Sequence, residues 1–161
     1  MRKDVGIVTG VLYTTSNAIF HEGYAIGVNG YFDSLYKGLR RGQLGYLMHN
    51  RMNRGYSAVS SDCMLIKRSV FDELGGFRED FSKDFADIDI CLKARELGIH
   101  ICSVANASWI YHPDGIYNHD LPGAVIDCEE NFKEIWKDTI SLGDYYYNPN
   151  FARDGELFSL I

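Results

Sequence analysis

Apolar and β-branched residues run almost unbroken through VGIVTGVLY at 5–13, punctuated by Gly6, Thr9 and Gly10. A short apolar run of this length predicts a buried strand. AIFHEGYAIGVNGYF at 18–32 alternates aromatic, apolar and glycine positions. It predicts a short hairpin or loop excursion, with Asn29 and Gly30 as the turn signal. Residues 34–54 are polar, aromatic and broken by glycine, which predicts a surface loop with a helical turn or two. The run CMLI at 63–66 predicts a second buried strand. After it, RSVFDELGGF predicts a helix of one to two turns, with Ser69 as N-cap and Gly75 as its stop.

DFADIDICLKARELG at 84–98 predicts a longer helix closed by Gly98, with Asp84 as a cap, and residues 99–112 predict the next strand. In PGAVIDCEENFKEIWKDTI, Val125, Cys128, Phe132, Ile135 and Trp136 recur at helical spacing and predict a helix over 122–140. The tail from Gly143 is aromatic and irregular. Strands and helices thus interleave in the manner of an α/β domain.

The helix at 84–98 carries three aspartates within six residues. At about 100° per residue, Asp89, Lys93 and Glu96 share one polar arc, which reads as a solvent-facing side. Asp87 falls between the apolar positions of Cys91 and Ala94, on the inner side. Capping and complementarity to the helix dipole explain acids at a helix start. A carboxylate held ionised on an inner face also has the makings of a general base. The pattern alone leaves both open.

Composition narrows the classes. The 161 residues suit one domain or part of one, and 46% hydrophobic with 24% charged residues is ordinary globular material. Eleven tyrosines, nine phenylalanines and two tryptophans can fill a core or line a ring-binding cleft. The net charge is −6, and Arg40 with Arg41 is the densest basic spot. No Lys/Arg stripe exists, which argues against nucleic acid as a partner. Any peripheral membrane association would have to be local rather than driven by overall charge. Cys63, Cys91, Cys102 and Cys128 form no C-x-x-C pair, so a zinc knuckle is disfavoured. Buried thiols in a reducing, cytoplasmic compartment are the simpler expectation.

Several motifs combine over 58–115: an apolar strand ending near Arg68, then VFDELGGFRE, DIDICLKAR and WIYH. Upstream lie VGIVTGVLY and HEG, and downstream YYNPNFARDGELFSL. In combination the chain resembles the C-terminal, acceptor-side half of a family 2 glycosyltransferase. The bacterial rhamnosyltransferase and O-antigen-type polysaccharide enzymes are the nearest in pattern. The resemblance implies a partial GT-A (nucleotide-diphospho-sugar transferase-like) fold, with a few-stranded mixed sheet and flanking helices. It implies inverting transfer from a nucleotide-sugar donor to a saccharide acceptor, with a divalent metal, Mg or Mn, in the full-length enzyme.

By motif position, Asp87 matches the family's base. Ala86 stands where the family carries Glu, Asn or Asp. Gly75, Gly76, Phe77 and Asp89 match the acceptor side. Asp62 stands near the acceptor pocket, where the family usually has a small residue; a carboxylate there can hydrogen-bond sugar hydroxyls or cap a turn. His112, with Asp114 nearby, matches a residue that helps hold the metal or diphosphate in some relatives. His21 and Glu22 are expected to face the same cleft. The donor-binding half, with its Asp-x-Asp metal motif, is expected to precede residue 1 and to be a partner of this single domain. The fragment alone is expected to be inactive and to act at the inner face of a membrane. Two other classes stay open: a noncatalytic carbohydrate-binding or interaction module on the same fold, and a metal-dependent hydrolase built on Asp62, Asp87, Asp89 and His112.

Overall fold

The computed structural model describes residues 3–111 and 125–161. His112 and Asp114 lie outside the described residues. The architecture is mixed α/β, organised around the first strand, β1 (Val5–Thr14). Ile7 and Val11 are fully buried, as the apolar run predicts. One edge of β1 pairs in parallel with β7 (His100–Tyr111). The other edge takes two short antiparallel strands: β6 (Met64–Ile66) along residues 7–9 and β2 (Ile19–His21) along residues 12–13. A two-residue strand, β5 (Arg54–Gly55), extends the sheet on the far side of β7. The predicted excursion is a separate hairpin of β3 (Tyr24–Ile26) and β4 (Phe32–Ser34). Its turn places Asn29 and Gly30 in the left-handed region, at φ 46° and 102°, which is what an Asn-Gly pair accommodates.

The run at 63–66 does not form the buried strand its composition predicts. In β6, Leu65 is 68% exposed while Met64 and Ile66 are half-buried. The strand is three residues long and pairs only with β1, so among the described residues its outer edge is open. Helix α1 (Arg68–Leu74) stops at Gly75, φ 76°, as expected. It starts two residues early, however: Lys67 holds the N-cap position and Ser69 lies inside the helix.

Helix α2 (Lys83–Glu96) carries the acids, with Ser82 at its N-cap position. Asp84 is therefore not the cap. It lies in the first turn, where the dipole still favours a negative charge. Ala86, Asp87, Ile88, Asp89, Ile90, Cys91, Leu92 and Ala94 are all buried. This corrects the solvent-facing placement of Asp89, because the third helix, α3 (Val125–Leu142), covers the Asp89 end of that arc while Glu96 stays exposed. The Trp136 indole N–H donates to Asp89 Oδ1 at 3.0 Å, and Lys93 Nζ pairs with Oδ2 at 2.6 Å. On the same helix, fully buried Phe132 meets Phe81, Phe85 and Phe32, with ring centroids 5.8, 4.8 and 6.1 Å away. All four cysteines are thiols, with Cys91 and Cys128 buried.

The β1–β7 ladder contains one irregularity that shapes the surface. Gly10 pairs with Val104, but the next residue, Val11, pairs with Ser108, so residues 105–107 bulge from β7. The backbone N–H of Ala105 is tied down by Asn53 Oδ1 at 2.9 Å. The bulge and the Trp109 ring close over Gly10. A Cβ there would lie 2.2 Å from Trp109 Cζ3 and 2.4 Å from the Ala107 carbonyl oxygen. Backbone cannot yield as a side chain can, so Gly10→Ala is expected to destabilise the fold by about 1–3 kcal/mol. Urea denaturation measures this; an unchanged midpoint would show that the bulge does not depend on the missing Cβ.

Candidate functional site

Between Val59 and β6 the chain makes a short 3-10 turn, Ser61–Cys63, with Ser60 as its N-cap. The Ser60 hydroxyl caps the Asp62 N–H at 3.3 Å. That hydroxyl also lies 3.1 Å from Asp62 Oδ2 and 3.3 Å from Asp87 Oδ2. The backbone N–H of Ser61 donates to the same Asp87 oxygen at 2.8 Å. Lys83, in the first turn of α2, pairs with Asp62. The turn and the helix N-terminus are thus joined by two carboxylates sharing one serine.

Burial pushes the Asp87 pKa up to about 6; the hydrogen bonds from Ser61 and the charge of Lys83 oppose this, while Asp84 adds to it. At 1% exposure, Asp87 lies behind the turn rather than in open solvent. Beside the turn opens a cavity of about 380 Å³, walled by Thr9, Ser61, Asp62, Met64, Leu65 and Trp109. Trp109 is 47% exposed.

His21 belongs to this cluster. Its Nε2 accepts the Ser60 N–H at 3.0 Å, and its Nδ1 lies 3.2 Å from the Ser34 hydroxyl. An Nε2 that accepts carries no proton, so the ring is the neutral tautomer donating from Nδ1. Burial holds its pKa down at about 3, with Asp62 opposing and Lys83 and Lys37 reinforcing. The Tyr24 ring packs on it at 4.4 Å. Burial raises the Tyr24 hydroxyl pKa, and Asp84 and Asp87 raise it further. Glu22, one residue past the end of β2, lies in different surroundings. It is fully buried near Tyr56 and Arg54; burial raises its pKa to about 7 against the pull of both.

The remaining predicted residues are placed apart. Gly75 and Gly76 form the left-handed end of α1, and the Phe77 ring packs on Phe71 at 5.7 Å. No hydrogen bond joins these three to the turn among the described residues. Asp89 is committed to Trp136 and Lys93. Among the described residues no three His, Cys, Asp or Glu side chains converge as a metal set. Asp62 is already paired with Lys83, so these residues do not by themselves fit the divalent metal that the resemblance implies.

Sequence reasoning missed Ser60, Ser61, Tyr24, Ser34 and Lys83. The pair of serines before Asp62 was the available signal, since Ser-x-Asp is a turn-capping pattern.

Two curated proteins resemble the chain. An uncharacterized protein, y4gI, from Sinorhizobium fredii is 35% identical over 167 aligned residues, covering 99% of this chain. The O-antigen biosynthesis protein RfbC of Myxococcus xanthus is 27% identical over 153 residues, covering 94% of this chain. The chain spans 18% of the length of the first and 12% of the second. No protein-family model and no solved structure matches the chain.

The locked His21 makes a signed prediction. Its folded-state pKa is depressed, so its contribution to stability is complete above the unfolded value of about 6.5 and fades as pH falls towards about 3. His21→Phe keeps a ring but has no charge to lose. The stability gap between wild type and variant is therefore expected to narrow by about 2 kcal/mol between pH ~7 and pH ~4.5. Asp87 and Glu22 titrate in both proteins and cancel in the difference. Urea denaturation at the two pH values measures the gap, and a constant gap would refute the neutral assignment.

Proposed function

We propose that the chain is the acceptor-side part of an inverting glycosyltransferase, moving a sugar from a nucleotide-sugar donor to a saccharide acceptor in cell-surface polysaccharide synthesis. The observation that carries this reading is Asp87: a buried carboxyl with a pKa of about 6, held by Ser60 and Ser61 beside a cavity. Such a group is poised as a general base near neutrality. The similarity to an O-antigen biosynthesis protein supports the substrate class.

In this mechanism Asp87 takes the proton of an acceptor hydroxyl. The freed oxygen forms a bond to the anomeric carbon from the face opposite the leaving group. The bond to the nucleoside diphosphate breaks, and the configuration inverts. Because Asp87 is 1% exposed, the Ser61–Cys63 turn must shift for an acceptor to reach it. Asp62 and the exposed Trp109 ring line the entrance, where a carboxylate suits sugar hydroxyls and a ring face suits their C–H edges. An acceptor contact by Asp89 would require Trp136 or Lys93 to release it.

The donor-binding half is proposed to seat against the open edge of β6, where Leu65 is 68% exposed. The divalent metal would accompany that half. No helix among the described residues is long and apolar enough to cross a membrane; action at the inner membrane face is part of the proposal.

The test uses a longer polypeptide joining this chain to its donor-binding segment. Asp87→Asn is expected to abolish transfer while leaving donor binding unchanged. In the wild type, kcat/KM is expected to rise with pH through about 6, as the folded-state carboxyl loses its proton. Retained turnover in Asp87→Asn would remove Asp87 as the base. Saccharide binding without any turnover in the wild type would instead favour a noncatalytic carbohydrate-binding module.

A further inference from the structure

Across the β7 bulge from the acid turn lies a second cavity, of about 340 Å³. Tyr13, Arg41, Asn50, Arg51, Asn106 and Ser108 line it, and among the described residues no carboxylate does. In a chain of net charge −6 this is unusual. Among the described residues neither arginine is paired with Asp or Glu.

Both guanidinium groups are nonetheless held. Arg41 lies over the Tyr13 ring, 4.9 Å from its centroid, and its Nη2 reaches the Ser108 hydroxyl at 3.4 Å. Arg51 Nη2 donates to the Gly42 carbonyl at 2.8 Å. The loop that carries both is pinned from inside by buried Asn50. Its Oδ1 accepts the Gly45 N–H at 2.8 Å, and its Nδ2 donates to the Gln43 carbonyl at 3.0 Å. The floor is pinned as well, through Asn53 and Ala105. Ordering of this kind reduces what a ligand must immobilise on binding.

We propose that this cavity binds a phosphate-bearing ligand through Arg41 and Arg51, with Ser108 and Asn106 as hydrogen-bonding partners. Two guanidinium forks match a phosphomonoester or diphosphate in both charge and geometry. A single carboxylate would leave one positive charge unmatched. Tyr13 and Ser108 come from the C-terminal halves of β1 and β7, the end of parallel strands where ligands of α/β sheets gather. The inference stands on this cavity alone and does not depend on Asp87 or on sugar transfer.

Inorganic pyrophosphate is the first probe, followed by arginine side-chain nitrogen NMR of the 161-residue chain. Saturable shifts are expected at Arg41 and Arg51, with matching changes at Asn106 and Ser108. Arg41→Ala or Arg51→Ala is expected to weaken binding by about tenfold or more. Arg51→Lys keeps the charge but loses the fork and is expected to fall between. Both arginines are exposed, so an unchanged urea midpoint checks that the variants fold.

A nucleoside diphosphate and a short alkyl diphosphate then identify the source of the group. Whichever binds more tightly than pyrophosphate names what is attached to it, and equal binding means that the phosphates alone are read. Shifts that fail to saturate, that spread equally over Arg40, Arg68 and Arg153, or that acetate reproduces at matched ionic strength would overturn the proposal.

Discussion

The fold depends on burying a helix that is not apolar. Helix α2 packs between the sheet side and α3, and its middle carries Asp87 and Asp89 at 1% and 0% exposure. A buried carboxylate without partners is costly, so each must be met by donors from another element. Two residues apart, the side chains point about 200° from one another around the helix. One acid therefore engages what lies on one side and the other acid what lies opposite. Asp89 takes Trp136 of α3 and Lys93 of its own helix. Asp87 takes Ser60 and Ser61 of the turn leading into β6. The two carboxylates fasten α3 and the Ser61–Cys63 turn to the same helix, and they fix how those elements stand around it.

The two carboxyls differ in the charge of their partners. Asp89 meets an ammonium and an indole. Asp87 meets only neutral donors directly, with the Lys83 charge one group removed on Asp62. Burial without a direct cation is what leaves its proton affinity high. His21 completes the arrangement from the sheet side. Its neutral Nε2 accepts the Ser60 N–H, so the turn is held by an acceptor that places no positive charge beside Asp87. A protonated ring could not make that bond, which ties the geometry of the turn to the ring's neutrality.

What the sequence made legible was local. The buried β1, the Asn-Gly turn, the stop of α1 at Gly75 and the inner position of Asp87 all follow from period, run length or a glycine. What it hid was decided by distant residues. Asp89 sits on a polar arc by any wheel, and only Trp136, 47 residues on, turns that arc inward. CMLI reads as core, yet with one pairing partner and three residues it is an edge. The donors to Asp87 lie 26 and 27 residues before it and belong to an unremarkable pair of serines. His21 and Glu22 were expected together, but β2 ends between them, and His21 meets Ser60 while Glu22 lies near Tyr56 and Arg54. Motif resemblance singled out Asp87; the long-range hydrogen bonds explain why that carboxyl differs from its neighbour.

The bulge in β7 gives the two cavities a common cause. Looping out residues 105–107 interrupts the parallel ladder halfway along β1, beyond a smaller register shift between Val5 and Ile7. It leaves Val104, Ala107 and Trp109 towards the acid turn, and Ala105, Asn106 and Ser108 towards the arginines. The irregularity is stable because Gly10 offers no Cβ and because Asn53 satisfies the Ala105 N–H that the broken ladder strands. One small residue on β1 and one amide on the neighbouring loop thus permit a strand to serve two surfaces. The acidic and the basic side chains are kept on different sides of it, where neither neutralises the other.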